Sequence, residues 1–423
     1  MAGTTRRPLR ERLLAAIEAV ETVDCHSHTL LEREYRAAGG LDLFSFVLAN
    51  YFAREVDSVG GQAARQAMTH GSDDERWAAL KAVLARASNV SYWRHNLVAF
   101  RALFGLRAQE VTDRNWRALD RRIRRTTADP GWYRRVTCSR CRLRTQVRNV
   151  PWFQDWEPQY FTAILRMEQA LAPDDPGIRE SLAAQSGLAV TSLPSFKRAL
   201  AAVTEDYVAR GARGIKLAHA YSRTLHSEPV SQAVAGRFFA KALRGKALRP
   251  DERKRLQDHI IFFLADLAGD LGIVFQIHTG VQGNWGNVPE SDPLLLLPLI
   301  HSHRTVRFDL FHAGYPYSRQ LGMLAKHSPN VWLNMCWMYV VTMEGSRRAL
   351  AEWIDLVPGY RLLAFGSDVG LPELIYAHLI MARSCLADVL AGKVERDFLS
   401  EAAASGLARM MLHDNAVELY RLD

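Results

Sequence analysis

The chain has 423 residues, of which 48% are apolar, so it can bury the core of one large barrel with insertions or of two ordinary domains. No uninterrupted apolar run of about 18 residues occurs, which predicts that the chain does not span a membrane. The net charge is +9, but the arginine-rich stretch from Arg101 to Arg148 carries no aromatic–basic RNA signature and no zinc finger, which disfavours nucleic acid as a partner. Five scattered cysteines disfavour a disulfide framework and indicate a reducing, cytoplasmic location.

The first elements are a helix and a short strand. Apolar residues at helical spacing from Pro8 to Val20 predict an N-terminal helix within residues 1–20. A strand, Thr22–Cys25, follows and leads into His26 and His28. Because side chains on a strand alternate between faces, the two imidazoles project together, as two metal ligands would. The alternative is a pair of strand histidines with ordinary hydrogen bonds.

The rest of the chain alternates between helices and strands. Residues from about 30 to 142 show a helical pattern and predict a long helical insertion after the first strand. Eight strands separated by helices predict a (β/α)8 TIM barrel, here a single domain over residues 21–423. The predicted strands are Thr22–Cys25, Arg144–Val150, Phe161–Arg166, Gly214–Ala218, Ile273–His278, Val306–His312, Val331–Met335 and Leu362–Phe365.

Chemically active residues occur where the predicted strands end. Lys216 lies on strand four, His278 ends strand five, His312 ends strand six and Asp368 follows strand eight. In a barrel of this class the active site lies at the carboxyl ends of the strands. The sequence therefore predicts one site that draws on several strands.

This ordered set resembles the amidohydrolase superfamily. The motifs Gln276–Gly280, His312–Arg319 and Phe365–Asp368 are similar to those of its amidohydrolase-related branch, which includes nodulin- and FluG-type proteins. The helical insertion after the first strand is similar to theirs and to that of uronate isomerases. The resemblance extends from about residue 20 to the end and implies a metal-dependent barrel enzyme.

The donor types suggest a role for each residue. His26, His28, His278 and Asp368 form a set of three nitrogens and one oxygen that suits one Zn2+, with Mn2+ and Fe2+ as alternatives. Asp368 and His312 are the predicted catalytic residues. Asp368 would accept a proton from the metal-activated water, and His312 would hydrogen-bond that water or the developing oxyanion.

Three hypotheses are open for the role of Lys216. In two-metal members of the superfamily a lysine on strand four is carboxylated and bridges the ions, so a second metal is expected only if Lys216 is modified. The lysine could instead bind a substrate carboxylate, or form a plain salt bridge.

A small anionic substrate is expected because several cations lie on or just after the barrel strands. An arginine fork suits a carboxylate, and the alternative is that these cations neutralise the carboxylates of the protein itself. The predicted substrate-binding residues are Lys216, Arg166, Tyr221, Arg223, Trp285, Tyr317 and Arg319.

The leading functional expectation is a metal-dependent hydrolase of an amide-type C–N bond in a carboxylate-bearing substrate. A decarboxylase and a uronate-isomerase-like enzyme on the same scaffold are the alternatives, followed by a barrel without activity that serves as a binding module. A homo-oligomer remains open, because Leu374–Leu390 reads either as the last barrel helix or as an interface.

Overall fold

The computed structural model describes residues 7–283 and 286–422, so Trp285 lies outside the described residues. Within these ranges the strands form one eight-stranded sheet in the order β1 to β8. The pairs from β3 to β8 are parallel. The strands are β1 Thr22–Ser27, β2 Leu143–Pro151, β3 Phe161–Arg166, β4 Gly214–Leu217, β5 Val274–His278, β6 Arg307–Phe311, β7 Val331–Asn334 and β8 Leu362–Leu363.

Backbone hydrogen bonds join the first strand to chain on both of its sides. The N–H of Thr22 donates to the carbonyl of Arg142 at 3.1 Å, just before β2. On the other side, Cys25 donates to Phe365 at 3.0 Å, immediately after β8. The strand order and these contacts confirm the predicted (β/α)8 barrel class, and the observed strands match all eight predictions to within a few residues.

The regular elements before β2 are helices, apart from β1, as the sequence predicts. The capping box of Ser72 and Glu75 starts one of these helices, and Gly105, at φ 66°, ends the next in the left-handed conformation that glycine adopts without a steric penalty. The insertion after β1 therefore has local start and stop signals. The helices are α1 Leu9–Ala19, α2 Glu32–Ala37, α3 Leu43–Leu48, α4 Ala53–His70, α5 Asp73–Ala87, α6 Ser91–Phe104, α7 Trp116–Thr127 and α8 Trp132–Arg134.

The remaining helices alternate with or follow the later strands. One of them, α17 (Pro372–Glu395), is long and apolar enough to cross a membrane, with a mean hydropathy of 1.5, but 78% of its apolar window is buried inside the fold. It is thus built as a core helix. These helices are α9 Pro176–Ser186, α10 Leu193–Ala209, α11 Gln232–Leu243, α12 Pro250–Asp270, α13 Leu297–Ser302, α14 Ser318–His327, α15 Met338–Val341, α16 Met343–Leu356, α17 Pro372–Glu395, α18 Glu401–Arg409 and α19 Asn415–Tyr420.

The chain divides into two compact units. The first unit comprises Met1–Gln146, Cys336–Leu350 and Ala364–His413, and the second comprises Val147–Met335, Ala351–Leu363 and Asp414–Asp423. The single-domain assignment over residues 21–423 stays a prediction.

Each unit has its own apolar interior. In the first, aromatic rings of α3 and α6 pack together, with Phe46 lying 5.3 Å from Phe100 and 5.8 Å from Phe104 between ring centroids. In the second, every residue of β4 and β5 is buried, because parallel strands are covered on both faces. A buried strand leaves only its carboxyl end for chemistry.

Candidate metal centre and adjoining cavity

His26 of β1, His28 just after β1 and an aspartate after β8 converge in the first unit. The Nε2 atoms of His26 and His28 are 3.2 Å apart, and the Oδ1 atom of Asp368 lies 3.6 Å from the first and 3.2 Å from the second. Two ligands bound at about 2.05 Å to a tetrahedral zinc are about 3.3 Å apart. The spacing of the three donor atoms therefore fits a single divalent ion.

The three donors differ in their access to solvent. The side chain of His26 is buried and that of Asp368 is nearly so, whereas the His28 side chain is 40% exposed. Bringing two imidazoles and a carboxylate this close is chemically reasonable when they share a cation. The face of the cluster that His28 presents is the face that a small molecule can reach.

Asp368 is held in an uncommon backbone conformation. Its φ is 51°, in the left-handed region that few residues other than glycine occupy. The N–H of Asp368 donates to the carbonyl of His26 at 3.0 Å, and the hydroxyl of Tyr51 donates to the carbonyl of Asp368 at 2.7 Å. These two hydrogen bonds fix the carboxylate beside the histidines.

The buried carboxylate of Asp24 accepts hydrogen bonds from Ser367, the residue before Asp368. The N–H of Ser367 donates to its Oδ1 at 2.7 Å, and the hydroxyl of Ser367 donates to its Oδ2 at 2.5 Å. Burial raises the pKa of Asp24 to about 7, although the hydrogen bonds from Ser367 oppose that rise. No role was predicted for Asp24 from the sequence. A signal was available, because Asp24 lies two residues before His26 and therefore on the same face of the strand.

A cavity of about 420 Å³ opens beside the cluster, within the range of small-molecule sites. It is formed by the carboxyl ends of β1 and β8 and by the helical insertion, which sequence reasoning did not connect with the site. An insertion residue carries no strand-end pattern that would reveal this. The lining residues are His28, Leu48, Ala49, Asn50, Tyr51, Ala53, Arg54, Asp57, Arg65, Asp368, Val369, Gly370 and Leu374.

The second unit holds the other two predicted histidines, and they contact each other. The Nε2 of His278 lies 2.8 Å from the carbonyl of Val281, which can only accept, so this nitrogen carries the hydrogen. The Nδ1 of neutral His278 then accepts from the Nε2 of His312 at 3.0 Å. Both rings are buried. The assignment of His278 as a fourth metal ligand stays a prediction, as does the catalytic role of His312.

Lys216 is buried on β4. Its Nζ lies 3.9 Å from the Oε1 of Glu168 and 5.5 Å above the ring of Phe311. This contact corresponds to the plain salt bridge, the third of the hypotheses for Lys216. Carboxylation of Lys216 and binding of a substrate carboxylate by it stay predictions.

Each of the three predicted arginines pairs with a carboxylate of its own unit. The Nε of Arg166 donates to Glu168 at 2.7 Å, and an Nη of Arg223 donates to the buried Asp258 at 2.5 Å. Arg319, whose side chain is 82% exposed, donates to Glu352 at 2.7 Å. These contacts favour the alternative that the arginines neutralise the protein's own acids, and their substrate-binding role stays a prediction.

The two predicted tyrosines also have local partners. The hydroxyl of Tyr221 accepts from the N–H of Gly283 at 3.0 Å, and its ring stands edge-on to that of His278 at 4.8 Å. The hydroxyl of Tyr317 donates to the carbonyl of Val288 at 3.3 Å. Tyr221 thus contacts a predicted site residue.

Comparison with known proteins places this geometry in context. A family model described as Amidohydrolase matches residues 182–422. Protein fluG of Emericella nidulans is 29% identical over 54% of this chain and 28% of its own length, and a uronate isomerase of Nostoc punctiforme is 28% identical over 59% of this chain and 57% of its own length. The chain therefore covers well under two thirds of these relatives.

A solved structure agrees with the fold over nearly the whole chain. The uronate isomerase of Thermotoga maritima has a TM-score of 0.83 at 16% identity and covers 98% of both chains. The prediction of a C–N bond hydrolase is wrong, because uronate isomerases recur among the relatives and the structural neighbours. The predicted barrel and superfamily are confirmed.

Proposed function

This chain belongs to the amidohydrolase family, and on that premise we propose that it is a metal-dependent isomerase that interconverts the aldose and ketose forms of a uronate, a sugar that carries a carboxylate. The observation that carries the proposal is the convergence of His26, His28 and Asp368 on one side of a cavity large enough for a sugar acid. The similarity to uronate isomerases supports the reaction class.

The metal ligands of the proposal are His26, His28 and Asp368, with His278 as the further candidate. A divalent cation, when bound, supplies a Lewis acid that polarises the sugar carbonyl and acidifies the neighbouring C–H bond. The identity of the ion is proposed to be zinc, on the strength of the nitrogen-rich donor set. Asp24 holds the loop of Asp368 so that the donors are in place before substrate arrives.

Aldose–ketose interconversion moves the proton on C2 to C1, and the proton of the C2 hydroxyl to the oxygen on C1, as the carbonyl passes from C1 to C2. We assign this transfer to the two predicted catalytic residues, Asp368 and His312. When neutral His312 donates through Nε2 to His278, its Nδ1 is the nitrogen that carries a lone pair and can accept a proton. In this arrangement His278 is a positioning residue, since it fixes the tautomer of His312. To act as a metal ligand instead, His278 would have to give up its hydrogen bond to Val281 or the one from His312.

The test is isomerisation of hexuronates by the metal-loaded protein in D2O. We expect an aldohexuronate to give the ketohexuronate, with the change followed by NMR and with solvent deuterium exchanged at the carbon next to the carbonyl. N-acyl amino acids serve as the comparison class and should not be hydrolysed. Release of carbon dioxide, or no reaction of any hexuronate, would contradict the proposal.

A further inference from the structure

The cavity beside the metal centre has a positively charged wall on the helical insertion. Arg54, Asp57 and Arg65, all on α4, line it together with His28 and Asp368. We propose that Arg54 binds the carboxylate of the substrate, an inference that deepens the proposed function and rests on it.

The two other charged groups of this wall satisfy each other. An Nη of Arg65 donates to the Oδ2 of Asp57 at 2.7 Å, and its Nε donates to the other oxygen. The hydrogen bonds from Arg65 hold the pKa of Asp57 below its ordinary value, so Asp57 stays ionised. The pair is therefore neutral as a unit.

Arg54 is different. Its side chain is exposed and, among residues 7–283 and 286–422, forms no hydrogen bond or ion pair. Its charge contributes to lowering the pKa of Asp57, but only as the smallest of the causes. A guanidinium with this freedom can present two parallel N–H donors to a carboxylate.

The other candidate arginines lack that freedom. Arg166, Arg223 and Arg319 already donate to Glu168, Asp258 and Glu352, respectively. A substrate carboxylate would have to displace a protein carboxylate from each of them. At Arg54 the same interaction replaces only water.

The chain that carries Arg54 is fixed to the metal centre. Tyr51, three residues earlier, donates to the carbonyl of Asp368 at 2.7 Å, and its ring lies 4.5 Å from that of Trp337. On the other side, Arg65 reaches back across the break in α4 at Gly61 and donates to the carbonyl of Ala53 at 3.1 Å. The backbone at Arg54 is thus held from both sides, which lowers the cost of ordering the site on binding.

The test is a binding measurement that needs no turnover. Calorimetry on the metal-loaded protein compares a hexonate, which keeps the carboxylate, with the matching neutral hexitol. Wild type should prefer the hexonate, and Arg54→Met should weaken hexonate binding by about 10- to 100-fold while leaving hexitol binding unchanged. Arg54→Lys should recover part of the loss, because it keeps the charge without the fork.

The matched control is Arg86→Met, which removes an exposed arginine from α5 that does not line the cavity. It should bind both compounds as wild type does. The inference is overturned if Arg54→Met binds the hexonate with the same affinity as Arg86→Met. It is also overturned if wild type does not prefer the hexonate to the hexitol. If wild type binds the hexonate through Arg54 but isomerises no hexuronate, the proposed function is contradicted and the inference about Arg54 is retained.

Discussion

The predicted site residues of the two compact units differ in how far the protein itself satisfies them. In the second unit, His278 and His312 bind each other, and the arginines pair with neighbouring acids. In the first unit, three donor atoms crowd together beside a cavity, and an arginine on its wall is left to solvent. Satisfied side chains position other groups, whereas crowded donors and an unengaged cation are built to receive a ligand.

The largest effect should come from removing a metal ligand in the first unit. We expect His26→Ala to lower the metal content of protein purified without chelator from about one ion per chain to about a tenth of that, with loss of turnover, because one of so few donors is gone. Elemental analysis measures this. His70→Ala, at the exposed end of α4, should keep its metal, and full retention in His26→Ala would remove the metal centre from the proposal.

The second unit should respond through rate rather than through metal content. We expect His312→Ala to lower kcat by about 10²- to 10⁴-fold, the usual contribution of a positioned acid or base, while its metal content stays near that of wild type. Steady-state kinetics and elemental analysis on one preparation give both values. His327→Ala, an exposed histidine at the end of α14, is the control. Metal loss in His312→Ala would make it a ligand and erase the contrast between the units.

The sequence predicted the barrel well because the relevant signals are local. Apolar runs mark the buried strands. His26 lies at the end of β1 and His28 just after it, as the alternation of strand side chains predicts. The acidic partners of the arginines could not be predicted from the sequence. Arg223 and Asp258 are 35 positions apart and meet only through tertiary packing.

The cavity wall was missed for a different physical reason. Arg54 lies on an insertion helix, where an exposed arginine looks like any solvated side chain. Tyr51 contacts Asp368 across 317 positions, which no periodicity reports. Asp368 itself follows β8 by five residues, in a left-handed conformation that the sequence does not mark with glycine.

One buried histidine of the first unit should contribute a loss of stability on acidification. Burial lowers the pKa of His95 from 6.5 to about 4, so between these values the unfolded chain binds a proton there that the folded chain does not. Its contribution to stability is present above pH 6.5 and is lost as the pH falls toward 4, by up to about 3 kcal/mol. Between pH 7 and 4.5 the denaturation midpoint of His95→Gln should fall less, or rise more, than that of wild type.

Asp24 provides a check on that sign. Its raised pKa makes the folded state bind protons more readily, which opposes the effect of His95. Since Asp24 is present in both proteins, its contribution cancels in the difference between them. His70→Gln, which replaces an exposed histidine, should behave as wild type, and an unchanged pH response in His95→Gln would mean that His95 is not the group responsible.

The smallest effect tests whether the cavity wall supports the metal centre. Tyr51→Phe removes only the hydroxyl that donates to the carbonyl of Asp368. Because that hydrogen bond helps to hold a left-handed residue, its loss should cost about 1 kcal/mol and weaken metal binding about fivefold, as measured by competition with a chelator. Tyr360→Phe, which alters an exposed tyrosine of the second unit, should change neither value. If Tyr51→Phe binds metal as wild type does, Asp368 is held by its hydrogen bond to β1 alone, and the insertion shapes the cavity without tuning the metal.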